Sequence, residues 1–530
     1  MNVKVKIIIL LAFILINLSS ALAQNRYDIM IVNGKIIDGS GNGYFEADVG
    51  IKGNMIAEIG DLKEHQALRV INAEGLVVSP GFIDVHTHCD RAILRLPANE
   101  NYITQGVTTV VGGNCGGSPL DVGGFFQQVV EMKPSTNIAI LIGHNTVRRE
   151  IMGMENRIPT SDEMTSMKEL VDKAMQDGAV GMSTGLGYLP GIFSEIEEII
   201  ELNKVVSRYN GVYASHIRDQ GEGMYKSVEE AIRIGKEGNT SVQVSHLKLS
   251  YDKIWGETDF LDKIFRDAID DGLEVYSDQY PYTASSTSLS AVFPVWSLDG
   301  GELTERLKDP QLRERIKTDL FESGRMKSFT GRDMLAAIRI SSYKGNPEFE
   351  GKNLRQILEL RGLEPSNGNG AELAIEIVEH GDASCVFFLM DERDIPVIMN
   401  YEYNMIGSDG SVISFGREVP HPRSYGSFTR VLGKYVREDN ALSLEKAIYK
   451  MTGLPAKAFR MGNRGLLKVG YIADITIFDP DSVSDKATYI NPHQYSDGIE
   501  FVIVNGVVTI DNGELTGVFG GMPVYGSGAK

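Results

Sequence analysis

Two histidines separated by a single residue end an apolar segment of the chain, in the sequence GFIDVHTHCD. Successive side chains of a β-strand point to opposite faces, so His86 and His88 would lie on one face, as two ligands of one metal ion must. Buried strands also carry histidines that only form hydrogen bonds, and this interpretation is open for an isolated pair. Further candidate ligands elsewhere in the chain favour a metal site.

The other candidate ligands also follow predicted strands. The complete set is His86, His88, Cys115, His216, His246 and Asp409. Imidazole, thiolate and carboxylate groups together suit zinc or a similar borderline ion. His144, in ILIGHN, is either a residue that supports the ligands or a hydrogen-bonded core histidine. The four remaining histidines lie in polar surroundings and are not expected to bind metal: His65, His380, His421 and His493.

Cysteine usage bears on the same site, since the chain contains three cysteines, Cys89, Cys115 and Cys385. So few cysteines cannot form a disulfide framework, and at least one thiol is unpaired. Cys89 and Cys115 could form one disulfide. We favour a metal-ligand role for Cys115, because it follows the predicted strand VTTVVGGN among the glycines of NCGG, which would let the backbone approach an ion.

The elements that would position these residues alternate between helix and strand. Thr160 and Glu163 form a capping-box pattern at the start of a helix that Gly178 ends, and the strand AVGMSTG follows. The strands VYASHIR, SVQVSHLK and LEVYSDQYPY come next, each after a helical segment, with a period of about 30 residues. This alternation is typical of repeated parallel βα units.

A (β/α)₈ barrel would explain where the candidate ligands stand. His216 and His246 end two strands one period apart, and the chemistry of such a barrel collects at the C-terminal ends of its strands. An open doubly wound sheet would also alternate, but it less easily brings many strand ends to one point. The segment VIMNYEYNMIGSDG is predicted as the last barrel strand, ending at Asp409. We therefore predict an α/β fold with a TIM-like barrel over residues 81–460.

Both ends of the chain have a different character from its middle. Short alternating segments with Asn-Gly turns, such as DIMIVNGKIIDG and FVIVNGVVTIDNGEL, are typical of hairpins. We predict one small β-sandwich built from residues 24–80 and 461–530. Residues 289–396 interrupt the barrel rhythm with charged helical segments, which predicts a helical insertion late in the barrel, either a lid or a solvated decoration.

The first residues of the chain read as an export signal. Lys4 and Lys6 precede an apolar segment from Ile7 to Ile16, and Ala21-Leu22-Ala23 fits a cleavage site. We predict a signal peptide over residues 1–23 and an exported protein, periplasmic or secreted. A retained anchor is the alternative, although the apolar segment is short for a membrane span.

The charge of the chain excludes some partners. It carries 52 Lys and Arg against 71 Asp and Glu, a net charge of −19. Such an acidic protein is a poor electrostatic match to nucleic acid or anionic membrane surfaces. A small-molecule substrate is expected instead, and the sequence gives no indication of the oligomeric state.

Several motifs together resemble a known family. GFIDVHTH, the late Gly-Ser-Asp-Gly and GYIADITIFD resemble the amidohydrolase superfamily, a barrel with a small β-sandwich. NCGGSP, YASHIRDQGEG, VSHLK, YPYTASST and HPRSYGSFTRVLG resemble the N-acyl-D-amino-acid deacylases, or D-aminoacylases, within it. The similarity runs from about Tyr27 to the C-terminus, and the ordered set of motifs is far more specific than HxH alone.

This resemblance implies how the ligands are shared. Cys115, His216 and His246 would hold one tightly bound zinc ion, and His86, His88 and Asp409 would form a second, weaker site that includes Cys115. In many amidohydrolases a carboxylated lysine bridges two metals. The segment GAVGMSTGLGY contains no lysine, and in the subgroup that this chain resembles the cysteine of NCGG is the bridge.

The resemblance also implies residues that bind the α-carboxylate of a substrate: Lys248, Tyr280, Ser286 and Arg423. Tyr282 is the alternative to Tyr280 if the YPY motif is read one tyrosine later. Arginine suits a carboxylate because its guanidinium binds both oxygens, although a surface salt bridge is the other interpretation of Arg423. Tyr188 either polarises the substrate carbonyl or only packs.

The activity implied is zinc-dependent hydrolysis of N-acyl-D-amino acids to a carboxylate and a D-amino acid. A metal ion lowers the pKa of bound water, and Asp409 would take that proton and return it to the departing amine, or act as a ligand alone.

Two other functions are open: another amidohydrolase reaction, such as cyclic amide or dipeptide hydrolysis, and a non-catalytic periplasmic metal- or ligand-binding protein. The motifs do not specify the D-amino acid, the acyl group, the strictness of D preference or the number of metals.

Overall fold

A computed structural model describes residues 26–322 and 333–529 of the chain. The predicted signal peptide over residues 1–23 lies outside the described residues. Among the helices of these two ranges, none is both long and apolar enough to cross a bilayer.

The described chain begins with five strands: β1 (Arg26–Ile36), β2 (Phe45–Lys52), β3 (Met55–Gly60), β4 (Gln66–Asn72) and β5 (Val77–Pro80). Strand β1 pairs antiparallel with β2 and parallel with β4 and β5. More and less exposed side chains alternate along most of β4, the period of two that a strand imposes.

Seven parallel strands follow: β6 (Phe82–Asp84), β7 (Val107–Gly112), β8 (Asn137–Gly143), β9 (Gly181–Gly185), β10 (Val212–His216), β11 (Ser241–Val244) and β12 (Val275–Gln279). Each is hydrogen-bonded to the next in chain order. All of their residues are buried, as expected for a parallel sheet covered by helices.

The helices of this part lie between or after these strands. Their bounds are Glu100–Ile103, Val122–Met132, His144–Met152, Ser161–Gln176, Ile196–Ser207, Met224–Gly238 and Thr258–Asp270. The helix Ser161–Gln176 begins with the predicted capping box of Thr160 and Glu163. In this box the side chain of each residue accepts a hydrogen bond from the backbone N–H of the other. Both N–H groups would otherwise lack a partner in the first turn of the helix.

An insertion with its own core follows β12. It contains helices Leu303–Arg306, Pro310–Glu322, Met334–Ala337, Leu354–Leu360 and Asn367–Glu379. It also contains an antiparallel sheet in the order β13 (Ala284–Ser288), β15 (Ser384–Phe388), β14 (Ile338–Ser342). The helices agree with the prediction, but the sequence does not predict the sheet, because runs as short as IRISS and SCVFF fit either element.

The last barrel strand is shorter than its sequence suggests. Strand β16 (Asn404–Ile406) pairs parallel with β12, but the preceding residues Asp394–Asn400 form a helix. The prediction of one strand over VIMNYEYNMIGSDG is therefore wrong for its first residues. Ile395, Ile398 and Met399 are buried at helical spacing, which favours a helix over a strand.

Backbone contacts between β6 and β16 close the barrel. A parallel bridge joins Thr87 to Gly410, just beyond the two strands. The N–H of His88 donates to the carbonyl of Gly410, and that of Asp409 donates to the carbonyl of His86, both at 2.8 Å. The eight strands within the described residues therefore form a closed barrel, and the alternative of an open doubly wound sheet does not hold.

The remaining residues complete the barrel and the chain-end sheet. Helices span Arg423–Arg430, Leu444–Met451 and Gly453–Ala458, and the first continues as a π-helical segment, Val431–Glu438. Strands β17 (Ile475–Phe478), β18 (Ile499–Val504), β19 (Val507–Asp511) and β20 (Glu514–Leu515) follow.

Strand β17 joins the two ends of the chain, since it pairs antiparallel with both β5 and β18. Buried residues from both ends, including Ile31, Val49, Ile475 and Ile503, pack in one apolar cluster. The predicted architecture, a TIM-like barrel with a β domain built from both chain ends, is thus confirmed. The exact domain limits at residues 80 and 460 stay predictions.

Candidate active site

The six predicted metal ligands converge at the C-terminal ends of the barrel strands. His86 and His88 follow β6, Cys115 follows β7, His216 ends β10, His246 follows β11 and Asp409 follows β16. Five different strands contribute, as is usual for the sites of this barrel. The positions depend on backbone topology and not on nearness in the sequence.

Cys115 lies at the centre of this group. Its Sγ is 3.4 Å from His86 Nε2, 3.7 Å from His216 Nδ1 and 3.6 Å from His246 Nε2. Tetrahedral zinc with bonds of about 2.0–2.3 Å has neighbouring ligand atoms about 3.3–3.7 Å apart. The three sulfur–nitrogen separations fit that geometry, whereas His216 Nδ1 and His246 Nε2 approach more closely, at 2.7 Å.

Asp409 belongs to a second set of donors. Its Oδ1 is 3.1 Å from His88 Nε2 and 3.5 Å from His86 Nε2. The donor atoms of His86, His88, Cys115 and Asp409 all lie within 4.8 Å of one another, and so do those of Cys115, His216 and His246. The structure thus brings all six predicted ligands together as two groups that share Cys115, and their chemistry fits zinc.

Electrostatics favour the thiolate form of Cys115. Burial alone would raise the pKa of its thiol, but His86 and hydrogen bonds from His216 and His246 hold that pKa well below its usual value. The thiolate is the form that binds a metal ion. Cys89 and Cys115 are both free, so the alternative disulfide is not formed, and Cys89 is fully buried in the apolar core.

The backbone at three ligands is strained. Cys115, His246 and Asp409 have positive φ angles of 53°, 40° and 50°. Side chains with a Cβ rarely adopt this region, at a cost of about 1–3 kcal/mol each, and such strain concentrates at functional sites. Gly116 packs closely against Asn145, since a Cβ there would lie 2.1 Å from Asn145 Oδ1, while the approach of this backbone to an ion stays a prediction.

Asp278 supports the ligands, and the sequence analysis missed it. Its Oδ1 is 3.3 Å from His86 Nδ1 and accepts a 3.0 Å hydrogen bond from the backbone N–H of His246. Gln243 donates to the other oxygen. Carboxylates in this position fix the tautomer and the ring orientation of a metal-binding histidine. The feature that could have identified Asp278 is an acidic residue in the strand VYSDQ, whose residues are all buried.

Gln220 supports His246 from the other side. Its Nε2 lies 3.0 Å from His246 Nδ1, and its Oε1 accepts a 3.1 Å hydrogen bond from Lys248 Nζ. Nothing in its motif, YASHIRDQGEG, distinguishes it from other loop glutamines, so it was not predicted.

His144 does not contact either group of ligands. Its Nε2 lies 2.7 Å from Glu198 Oε1, and Arg148 pairs with the same carboxylate. Of the two interpretations offered by the sequence, that of a hydrogen-bonded core histidine is therefore correct. His65, His380, His421 and His493 also lie outside both ligand groups of the described residues.

His421 nevertheless has a structural role close to the site. It is buried among tyrosine rings and not in the polar surroundings that its sequence suggests. Its Nε2–H donates to the carbonyl of Ala284 at 2.9 Å, and its Nδ1 accepts from the backbone N–H of Arg423 at 3.0 Å. It thus joins insertion strand β13 to the helix Arg423–Arg430.

A cleft opens beside the ligands. Predicted substrate residues that line it are Tyr188, Lys248, Tyr280 and Ser286, together with His216, His246 and Asp409. The insertion forms part of its wall through Val292, Phe387 and Leu389. It is therefore more than a solvated decoration, while its movement as a lid stays a prediction.

Tyr280 has the position expected of a ligand-binding hydroxyl. Its OH is buried and has no hydrogen-bond partner among the described residues. Lys248 Nζ lies 5.4 Å and Arg423 Cζ 4.8 Å from the centroid of its ring. Tyr282 instead donates to Asp485 at 3.4 Å, which favours Tyr280 of the two alternatives.

Arg423 is buried and does not form a surface salt bridge. Its Nη1 lies 2.8 Å from Asp409 Oδ2, and it lines a second cleft that meets the first at Asp409 and Ser286. The predicted carboxylate-binding arginine is thus paired with the predicted proton carrier, which the sequence did not reveal. Tyr188 lines the cleft, and the centroid of its ring also lies 4.4 Å from that of the His216 ring.

Comparison with known proteins agrees with this geometry. The model of the amidohydrolase family matches residues 69–270 and 402–510. The chain belongs to the amidohydrolase family. The matched ranges contain all six proposed ligands and omit the insertion.

Relatives of this amidohydrolase place it near the deacylases that its motifs resemble. It is 35% identical to a D-aminoacylase of Alcaligenes xylosoxydans xylosoxydans over 93% of this chain and 97% of the relative. It is also 35% identical to an N-acyl-D-glutamate deacylase of the same organism, over 91% and 93% of the two chains.

A solved structure is similar over nearly the whole chain. It is the N-acyl-D-glutamate deacylase of Bordetella bronchiseptica, complexed with zinc and a phosphonate inhibitor that mimics the tetrahedral intermediate of the reaction. The TM-score is 0.80 at 33% identity, with coverage of 94% of this chain and 100% of the other. The similarity to D-aminoacylases inferred from the motifs is thereby confirmed.

Cys115 is expected to be indispensable for metal binding, because it is the donor that both groups share. Cys115→Ala should lose most of the tightly bound metal, and Cys89→Ala, a matched removal of a thiol from the apolar core, should retain it. Metal analysis after gel filtration checks both variants, with circular dichroism to show that each is folded. Full metal content in Cys115→Ala would contradict the assignment.

Asp278 is expected to set the metal affinity without binding the ion. Asp278→Ala should weaken metal binding by about 10- to 100-fold, because His86 and His246 lose the group that orients them. Competition with a chromophoric chelator measures this change. Asp394→Ala is the control, since Asp394 is also buried but accepts its hydrogen bond from the backbone N–H of Gly256, away from the ligands. Equal affinities of Asp278→Ala and the unaltered protein would show that Asp278 has no such role.

Proposed function

We propose that this protein is a zinc-dependent hydrolase of N-acyl-D-amino acids that releases a carboxylate and a D-amino acid. One observation carries the proposal: Asp409 belongs to a donor set that shares Cys115, and it also pairs with Arg423, which lies with Lys248 beside the Tyr280 ring in a group suited to a carboxylate. Similarity to a D-aminoacylase over 93% of the chain supports the choice of substrate.

The donors divide between two ions of different affinity. Cys115, His216 and His246 would hold the tight zinc, because a thiolate and two imidazoles are the softest set in the site. His86, His88 and Asp409 would hold the weaker ion together with Cys115. Zinc supplies Lewis acidity, which polarises an amide carbonyl and lowers the pKa of water.

Asp409 is the proton carrier of this proposal. Burial alone would raise the pKa of its carboxyl, but Arg423 and the neighbouring imidazoles hold that pKa well below its usual value. Asp409 is therefore ionised at neutral pH and accepts a proton from the attacking water. It then returns the proton to the departing amine, for which the cleft side of its carboxylate is accessible.

The α-carboxylate of the substrate is held by Arg423, Tyr280, Lys248 and Ser286. Arg423 and Lys248 both lie beside the Tyr280 ring, so a carboxylate near the Tyr280 hydroxyl meets two cations. Burial lowers the pKa of Lys248 to about 7, and a bound carboxylate would restore the charge of its ammonium group. Arg423 then divides its donors between the substrate and Asp409.

The compartment of the enzyme belongs to this proposal as well. The basic and apolar residues before Gln24 support an export signal, so the enzyme would act in the periplasm or outside the cell. The substrate is a small molecule in either place. Detection of a mature N-terminus near Gln24 in exported protein checks this part.

A panel of amides tests the reaction. The zinc-loaded enzyme should hydrolyse N-acetyl-D-methionine, while N-acetyl-L-methionine and N-acetyl-D-methioninamide should be poor substrates because one has the wrong hand and the other lacks the carboxylate. A chelator should abolish turnover, and zinc should restore it. Preference for a cyclic amide, or zinc binding without any turnover, would contradict the proposal.

Replacement of Asp409 tests its role in proton transfer. Asp409→Asn keeps the shape and a ligand oxygen but removes the base, so turnover should fall by about 10²- to 10⁴-fold. The zinc at Cys115, His216 and His246 should be retained, as metal analysis of the same preparation would show. Near-normal turnover with retained zinc would mean that another group carries the proton.

A further inference from the structure

Overall similarity to the two relatives named above does not show which amino acid side chain the substrate of this enzyme carries. The D-aminoacylase and the N-acyl-D-glutamate deacylase are each 35% identical to this chain. The second name specifies an amino acid whose side chain carries a further carboxylate. A site for such a substrate needs a cation beyond those that bind the α-carboxylate. The charges lining the cleft therefore discriminate between the two substrate classes.

The cleft has no surplus cation. Among the described residues that line it, Lys248 is the only lysine or arginine, and Asp219 and Asp409 are both acidic. Asp219 is held in place by the backbone N–H groups of Gly221 and Gly223, at 2.7 and 2.9 Å. Arg423 approaches from the second cleft and already pairs with Asp409. Once Lys248 and Arg423 bind the α-carboxylate, a second carboxylate would lack a counter-charge.

The insertion gives this cleft an apolar wall. Ala291 and Val292 lie at the turn Leu289–Val292, while Phe387 and Leu389 lie at the end of β15. Val292 and Phe387 are each only 2% exposed, so a group that reaches them leaves water. An apolar side chain is stabilised by that transfer, whereas a carboxylate without a partner is strongly destabilised.

We infer that the enzyme selects N-acyl-D-amino acids with uncharged, chiefly apolar side chains and rejects derivatives of D-glutamate and D-aspartate. Val292, Phe387 and Leu389 are the specificity-determining residues, since they form the wall that the insertion adds to the barrel site. This inference rests on the proposed function and narrows its substrate class.

The second cleft offers the competing arrangement. Arg95 and Arg417 line it together with Arg423, and the residues of the apolar wall do not line it. An acidic side chain directed into this cleft would meet cations. The apolar wall favours the first cleft, because only that cleft also contains Tyr280, His216 and His246, the residues nearest to the scissile amide in the proposed reaction.

The test compares kcat/KM of the zinc-loaded enzyme on N-acetyl-D-leucine, N-acetyl-D-methionine, N-acetyl-D-glutamate and N-acetyl-D-aspartate. The uncharged substrates should be preferred at least about 100-fold, on the scale expected for an unpaired buried carboxylate. Equal or better turnover of the acidic pair would overturn the inference. Loss of that turnover in Arg95→Ala or Arg417→Ala would then assign the side chain to the second cleft.

A charge introduced into the wall should change this preference. Leu389→Arg should raise kcat/KM for N-acetyl-D-glutamate at least about tenfold and lower it for N-acetyl-D-leucine, because it supplies the missing cation. Leu389→Gln is the matched control of similar size without charge, and it should give no gain with the acidic substrate. Metal content and circular dichroism identify any variant that is not folded.

The outcomes separate the two proposals. An unchanged ratio of the two substrates in folded Leu389→Arg would overturn the assignment of the wall. If the zinc-loaded enzyme hydrolyses none of the N-acyl-D-amino acids, the proposed function fails and this inference fails with it. Turnover of N-acetyl-D-glutamate at the rate of N-acetyl-D-leucine would leave the proposed function intact and overturn the inference alone.

Discussion

The candidate site depends on the closure of the barrel between β6 and β16. Two backbone hydrogen bonds of 2.8 Å join the segments that follow these strands, and they hold His86 and His88 beside Asp409. Asp84 reinforces the junction by accepting from the backbone N–H groups of His86 and Ser408, at 3.1 and 2.9 Å. An ion bound between these segments would stabilise the closed barrel, because only the folded chain presents both sets of ligands.

Most of the proposed ligands could be predicted from the sequence because backbone topology places them. Parallel βα units put the C-terminal end of every strand at one rim of the barrel, so the helix–strand period was enough to predict that His216 and His246 lie there. The alternation of strand side chains placed His86 and His88 in the same way. Asp409 was found through its motif, although part of the strand predicted before it is a helix. That segment is a helix because its buried residues Ile395, Ile398 and Met399 have helical spacing.

Features set by contacts between distant side chains could not be predicted. Asp278 reaches His246 because β12 pairs with β11, and it reaches His86 only because the closed barrel brings the end of β6 to the other side of β16, the neighbour of β12. The insertion sheet pairs β13 with β15 across a long stretch of helices, and neither strand carries a pattern of its own. The ion pair of Arg423 with Asp409 likewise joins two motifs whose separate roles gave no reason to expect contact.

A chain of contacts connects the insertion to the chemistry. The carbonyl of Ala284, in β13, accepts from His421, which in turn accepts from the backbone of Arg423, whose guanidinium pairs with Asp409. The same insertion supplies the apolar wall of the cleft. The barrel therefore provides the proposed metal ligands, while the insertion contacts the segment that carries Arg423, the proposed carboxylate-binding residue, and forms part of the cleft wall. A carboxylate bound to Arg423 would compete with Asp409 for the guanidinium donors, so occupancy of the cleft would change the surroundings of the proposed proton carrier.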